Sequence, residues 1–176
     1  MPKESFSILF FITVFLVFNQ SIGQLPLSAP KCGSFQATPV SEITDIDGIG
    51  WKYANDTSKA YLNNSLFSGY TNKVCSNNGF LFSIEKYENG ELVLEANYHY
   101  ANYGIPKMSE IKRYSNRVLN GKIQTYYNSG QLCSEENYFN GKLNGEWFLY
   151  DEQGALITTK KYKDDIQISC KGKYCY

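Results

Sequence analysis

The sequence predicts an all-β protein: an elongated antiparallel sheet built from stacked β-hairpins. Three observations point there. A Tyr/Asn/Gly phrase recurs at fixed spacing. Short stretches rich in aromatic and β-branched residues alternate with Asn-Gly turns. Beyond residue 23 no long run carries helical periodicity. The repeat is sharpest near the C-terminus, where Tyr114/Tyr138, Asn116/Asn140, Leu119/Leu143, Asn120/Asn144 and Gly121/Gly145 all keep an offset of 24 residues. The second half of the unit repeats as well: Tyr126, Gly130, Leu132 and Tyr138 match Tyr150, Gly154, Leu156 and Tyr162 at the same offset. Arrays of this kind build extended surfaces, so the expectation they raise is binding rather than catalysis.

The elements follow in order. Lys3 gives a weak basic start, Ile8 to Phe18 is apolar apart from Thr13, and Ser21-Ile22-Gly23 places small residues before Gln24. That pattern reads as a secretory signal peptide over 1–23, too short to span a bilayer comfortably. Residues 24–50 carry Pro26, Pro30, Pro39, Gly48 and Gly50 and are expected to be an irregular lead-in with at most one short strand. A strand-like pattern begins at Trp51, and the repeat domain is placed at 51–165, with four units at about 61–86, 87–113, 114–137 and 138–161. Tyr87 to Tyr114 is 27 residues, so the second unit carries a surplus near Asn97–Gly104. Residues 166–176 are expected to be a C-terminal tail.

Within a unit, Asn140-Gly141 is a strong two-residue hairpin signal because both residues tolerate positive φ. Glu88-Asn89-Gly90 and Asn128-Ser129-Gly130 supply related chemistry. Lys122–Tyr126 and Glu146–Tyr150 read as strands, with Trp147 and Leu149 on one face and Phe148 and Tyr150 on the other. One hairpin is too small to be stable alone, so neighbours must join into one sheet. Roughly eight strands at about 4.8 Å spacing would span about 35–40 Å. The terminal strands need protection from edge-to-edge pairing, for which the lead-in and the tail are candidates.

The core phrase Asn140-Gly-Lys-Leu-Asn-Gly145-Glu-Trp147-x-x-Tyr150-Asp-Glu-Gln-Gly154-x-Leu156 resembles a MORN repeat, in the bacterial variant of the YwqK-type antitoxin-like proteins. The resemblance covers about 51–165 and is strongest over 114–162. Trp147 stands where the familiar eukaryotic repeat has its second glycine, which favours the variant family. The resemblance implies a curved sheet of hairpins, hence a MORN-like repeat array, with a scaffold or binding role. An antitoxin role in an exported chain would require that its toxin be exported too.

Beyond residue 23 the single histidine, His99, lies in Tyr98-His-Tyr100-Ala-Asn-Tyr103 with no Ser or Cys motif beside it, so neither a nucleophile–base pair nor a metal site is expected. Glu135-Glu136, Asp151-Glu152 and Asp164-Asp165 are adjacent pairs, and neighbours on a strand point to opposite faces. No phosphate-binding loop, dinucleotide fingerprint or zincin motif is present, and no cofactor is expected. Formal net charge is zero, which removes any bulk field toward nucleic acid or anionic membranes. The five cysteines are Cys32, Cys75, Cys133, Cys170 and Cys175; Cys170 and Cys175 are placed to close a small loop, and any two bridges leave one thiol over.

The prominent surface feature is aromatic: 15 Tyr and 11 Phe in 176 residues. The residues expected to make contact are Tyr98, His99, Tyr100 and Tyr103 in the insertion, and Tyr126, Trp147, Phe148 and Tyr150 in the ladder. Recurring aromatics fill a sheet by cross-strand pairing; an exposed row also clasps a protein segment or stacks on sugars. The reading is an exported, non-catalytic repeat protein, periplasmic or secreted, that binds another exported or envelope protein. A glycan- or peptidoglycan-binding module and a toxin-neutralising protein are the alternatives. No transmembrane segment is expected after the signal peptide.

Overall fold

Strands in the computed structural model follow the hairpin rhythm of the sequence. The structure describes residues 25–31, 38–39, 59–63, 65–75, 79–99 and 104–175, with the backbone alone at 38–39 and 72–75. The segment read as a signal peptide, Cys32, Trp51, Tyr100 and Tyr103 lie outside the described residues. The described residues form thirteen strands: β1 Thr38–Pro39, β2 Tyr61–Leu62, β3 Ser65–Leu66, β4 Gly69–Cys75, β5 Leu81–Glu88, β6 Glu91–Tyr98, β7 Met108–Ser115, β8 Val118–Leu119, β9 Gly121–Tyr126, β10 Leu132–Phe139, β11 Lys142–Tyr150, β12 Leu156–Lys163 and β13 Ile166–Gly172. The main sheet runs β1-β4-β5-β6-β7-β9-β10-β11-β12-β13, with β8 attached to β7. From β4 onward every pairing is antiparallel and joins sequence neighbours or near neighbours. The fold is therefore the all-β hairpin array that the repeat predicts.

Four two-residue turns set the hairpins. Asn89-Gly90, Asn116-Arg117, Asn140-Gly141 and Asp164-Asp165 all sit at positive φ, for example 49° and 79° at Asn140 and Gly141. This is the primed turn whose twist matches the strands it joins. Arg117, at φ 63°, holds the same conformation without glycine; its guanidinium Nε donates to Glu91 Oε2 at 3.0 Å. The other connections also repeat. Tyr127 N donates to Gln131 O, and Asp151 N donates to Ala155 O, each at 2.9 Å. Gly121 and Gly145, the last residues of the repeated phrase, share φ values of 107° and 108°. A Cβ on Gly145 would meet that of Asn137 at 3.3 Å, and one on Gly121 would meet that of Arg113 at 3.5 Å. Backbone conformation and cross-strand room together explain why glycine recurs there.

The array is longer than the eight strands expected. Ile166–Gly172, read as tail, is the last strand of the sheet, and the lead-in adds β1 at the other end, parallel to β4. The start of the stretch 61–69, read as a degenerate repeat, leaves the ladder, which it rejoins at Gly69. β2 and β3 form a separate two-stranded sheet, held to the β5–β6 turn by Ala60 N to Gly90 O and Gly90 N to Phe67 O at 2.9 and 2.7 Å. With two residues each, they are too short to continue the array.

The apolar core lies in the N-terminal half of the sheet. Leu81, Ile84, Ala96, Tyr98, Met108 and Ile111 are buried together with Ala29 of the lead-in. That segment lies along the sheet through Ala29 N to Pro106 O, Leu81 N to Pro30 O and Met108 N to Leu27 O. A smaller cluster joins Ala60, Phe67 and Tyr87. Among the described residues no helix is long and apolar enough to cross a membrane.

Candidate functional site

Cross-strand register places the aromatic residues of the C-terminal half on two faces. On one, Glu136, Trp147 and Lys160 are direct neighbours across β10, β11 and β12. Trp147 Nε1 donates to Glu136 Oε1 at 3.1 Å. Tyr138 Oη donates to the other oxygen, Oε2, also at 3.1 Å. Lys160 Nζ stands 5.2 Å from the centre of the Trp147 ring, within cation–π range. One carboxylate thus fixes two aromatic rings, and one ammonium covers the larger of them.

The repeat tyrosines extend this arrangement along the same face. Tyr87 Oη donates to Glu85 at 3.0 Å and Tyr114 Oη to Glu95 at 3.1 Å, while Tyr162 Oη donates to Gln167 at 3.3 Å. The recurring Tyr of the sequence phrase is therefore a hydroxyl donor held by a side-chain acceptor. Burial, then the nearby Glu136 carboxylate, pushes the Tyr138 hydroxyl up to about 12. Tyr114 is raised further, first by burial and then by Glu95.

The opposite face carries Phe148. In β11 it stands between Glu135 and Thr159, and its ring centre is 6.4 Å from that of Tyr150. Trp147 and Phe148 fall on opposite faces, as alternation requires. Beside Phe148 runs a charged and amide network. Glu135 accepts from Lys122 Nζ at 2.6 Å and Gln124 Nε2 at 3.0 Å, and Arg113 donates to Gln124 Oε1 at 3.3 Å. Glu135 and Glu136 point to different faces and have different partners, so they do not form a paired-carboxylate site. Among the described residues no group of three His, Cys, Asp or Glu side chains is gathered to hold a metal.

The expected contact residues separate. Tyr98 is a core residue, 5 % exposed, with its hydroxyl donating to Pro26 O at 3.0 Å; burial raises its pKa. His99 tethers β6 to the next hairpin: Nε2 lies 2.8 Å from Tyr126 O, and its backbone N donates to Lys107 O at 2.8 Å. Tyr126 is half-buried against the core. Trp147, Phe148 and Tyr150 remain half-exposed on β11. Among the described residues, Tyr98 and His99 meet Tyr126, while Trp147, Phe148 and Tyr150 stand two strands away on β11.

Sequence reasoning missed exposed apolar residues on β10, β12 and β13: Phe139 at 58 %, Leu156 at 55 %, Ile166 at 68 % and Ile168 at 55 %. A signal existed for Phe139. The residue after each repeat tyrosine is Glu88, Ser115 and Lys163 in the other hairpins, so Phe139 breaks a polar pattern. Cys170 and Cys175 are disulfide-bonded, which folds the end of the chain back on β12, and Cys133 is a free thiol. No family model, curated protein or solved structure matches this chain.

Proposed function

We propose that this chain is an exported, non-catalytic repeat protein of MORN-variant type that binds another exported or envelope protein through the aromatic surface of its C-terminal hairpins. The observation that carries this reading is the distribution of burial. Among the described residues no hydrophobic side chain after Ile123 is buried, although that half holds Tyr126, Phe139, Trp147, Phe148 and Tyr150. Aromatics fixed by neighbouring acceptors and rimmed by charge suit a protein partner, because little rotamer freedom is lost on contact. The signal-like segment 1–23 and the 170–175 disulfide agree with export.

The glycan alternative is less well supported by the same geometry. Sugar stacking needs an open ring face, and Lys160 lies over Trp147 while Glu136 takes its N–H. A toxin-neutralising role stays within the protein-binding reading and differs only in the partner.

The test is site-specific. A photo-crosslinking residue at Phe148 is expected to capture one defined envelope protein, and Phe148→Ala/Tyr150→Ala is expected to abolish its retention. Quenching of Trp147 fluorescence by peptidoglycan fragments, with no crosslinked protein, would replace this reading with the glycan one.

A further inference from the structure

Hairpin turns in this array rest on the hairpin before them. Gly90 N donates to Phe67 O at 2.7 Å, Gly141 N to Leu119 O at 2.8 Å and Asp165 N to Leu143 O at 3.0 Å. Leu143 N donates back to Asp165 Oδ1 at 2.7 Å. The side chain at the rim of each seat matches the turn it receives. A Cβ on Gly90 would come within 3.0 Å of Leu66 Cδ2, and one on Gly141 within 2.9 Å of Val118 Cγ1. Arg117 instead meets Glu91 at 3.0 Å, and Lys142 holds the rim position relative to Asp165. An apolar rim thus goes with Asn-Gly, and a charged rim with the opposite charge.

The last hairpin repeats this seat, and among the described residues nothing covers it. Gln167 stands one period of 24 residues after Leu143, and Ile166 two periods after Val118. Lys163 and Ile166 close the Asp164-Asp165 turn, so Gln167, opposite Tyr162, directs its backbone N–H and C=O away from β12. Every residue of β13 except Cys170 is exposed, with Ile166 at 68 % against 41 % for Val118. The tail stays with β12, where Lys173 N donates to Ile157 O at 3.2 Å. Nor does the bulge in β13 close this edge. Ile168 is the extra residue between Gln167 and Ser169, as Val93 is between Leu92 and Leu94, and β6 still carries β7 on its outer side. We propose that this corner of the sheet accepts a β-hairpin of another polypeptide. Its Asn-Gly turn seats on Ile166 and Gln167, and its first strand runs antiparallel to β13 from Ser169 onward. The site is a strand edge, so it stands apart from the aromatic faces of the proposed partner contact.

The probe is a cyclic peptide carrying residues 134–149, closed at the directly opposed Ser134 and Leu149, which presents the Asn140-Gly141 turn. Titration calorimetry with the purified, oxidised protein is expected to show saturable one-to-one binding, with amide-exchange protection gained at Gln167 and along β13. Gly141→Arg in the peptide is expected to weaken binding at least about tenfold, and Ile166→Glu in the protein to restore it. Ile166 is exposed, so that variant is expected to keep its circular dichroism and melting behaviour. Gln167→Pro removes only an outward N–H of an edge strand and is expected to weaken binding of the native peptide to a similar degree. A peptide that does not bind overturns the proposal. So does binding indifferent to Gly141→Arg or to Gln167→Pro, protection confined to the Phe148 face, or a β13 edge taken by a second copy, seen as a dimer in sedimentation velocity.

Discussion

One transverse row of side chains crosses both halves of the sheet and changes character midway. Register links Ile84, Ala96 and Ile111 to Gln124, Glu135, Phe148 and Thr159 on a single face. The first three are buried with Ala29 and Met108, under a strap of lead-in chain. The last four are half-exposed. The backbone ladder is the same in both halves, so the difference lies in what the repeat leaves variable. An N-terminal unit spends those positions on packing. A C-terminal unit holds itself with cross-strand pairs such as Glu135–Lys122 and Trp147–Glu136, contributions of about 0.2–1 kcal/mol each. The lesson is that the turns set the array, and burial determines which part of it is a core and which part is a surface.

The largest test of that contrast is truncation along the row. Ile84→Ala is expected to lower stability by about 2–5 kcal/mol in urea unfolding, and Phe148→Ala by roughly 1 kcal/mol, because its ring is only partly removed from water. Equal losses would mean that Phe148 is covered in solution, and the contrast would fail. Next comes the disulfide. Cys170→Ser/Cys175→Ser is expected to cost about 2 kcal/mol for so short a loop, with faster amide exchange confined to β12 and β13. Exchange that accelerates equally in β5 and β6 would show that the halves unfold as one.

A smaller effect concerns the acceptor of the Trp147 face. Glu136→Ala leaves Trp147 Nε1 and Tyr138 Oη without their carboxylate, a loss of about 1–2 kcal/mol, accompanied by a red shift of indole emission. The smallest is alkaline. The Tyr138 hydroxyl is held at about 12 in the fold, against about 10 in an unfolded chain. Its contribution is fully present below pH 10 and is lost as pH rises through about 12. Tyr138→Phe is expected to flatten stability over that window, measured as melting temperature between pH 9 and 12. A variant as alkali-sensitive as the native protein would assign the loss to Tyr98 and Tyr114.

Much of this was legible in the residues. Asn89-Gly90 and Asn140-Gly141 announce their turns by composition, and the offset of 24 carries the assignment to Asn116-Arg117, which composition alone would not mark. Trp147 and Phe148 were separable by alternation. Tyr98 was not, because its burial depends on Leu25–Pro30 lying alongside it, a long-range contact that no local pattern encodes. The same limit hid β13: Ile166–Gly172 alternates correctly for a strand, but the tyrosine phrase that flagged the other units ends at Tyr162. The residues that hold Trp147, Glu136 and Lys160, became visible only when register set them side by side.

The neighbour-to-neighbour pairing from β4 to β13 has a kinetic consequence. Nearly all of these ladders close short stretches of chain, which keeps contact order low for an all-β protein and allows hairpins to add one after another as the polypeptide emerges. The strap is the exception, since Ala29 must reach Pro106 and Leu27 must reach Met108. Closing that loop carries an entropy cost that no single hairpin bears. Refolding should therefore separate into a fast phase that zips the array and a slower one that seats residues 25–31, and removing the strap's contacts should erase only the second.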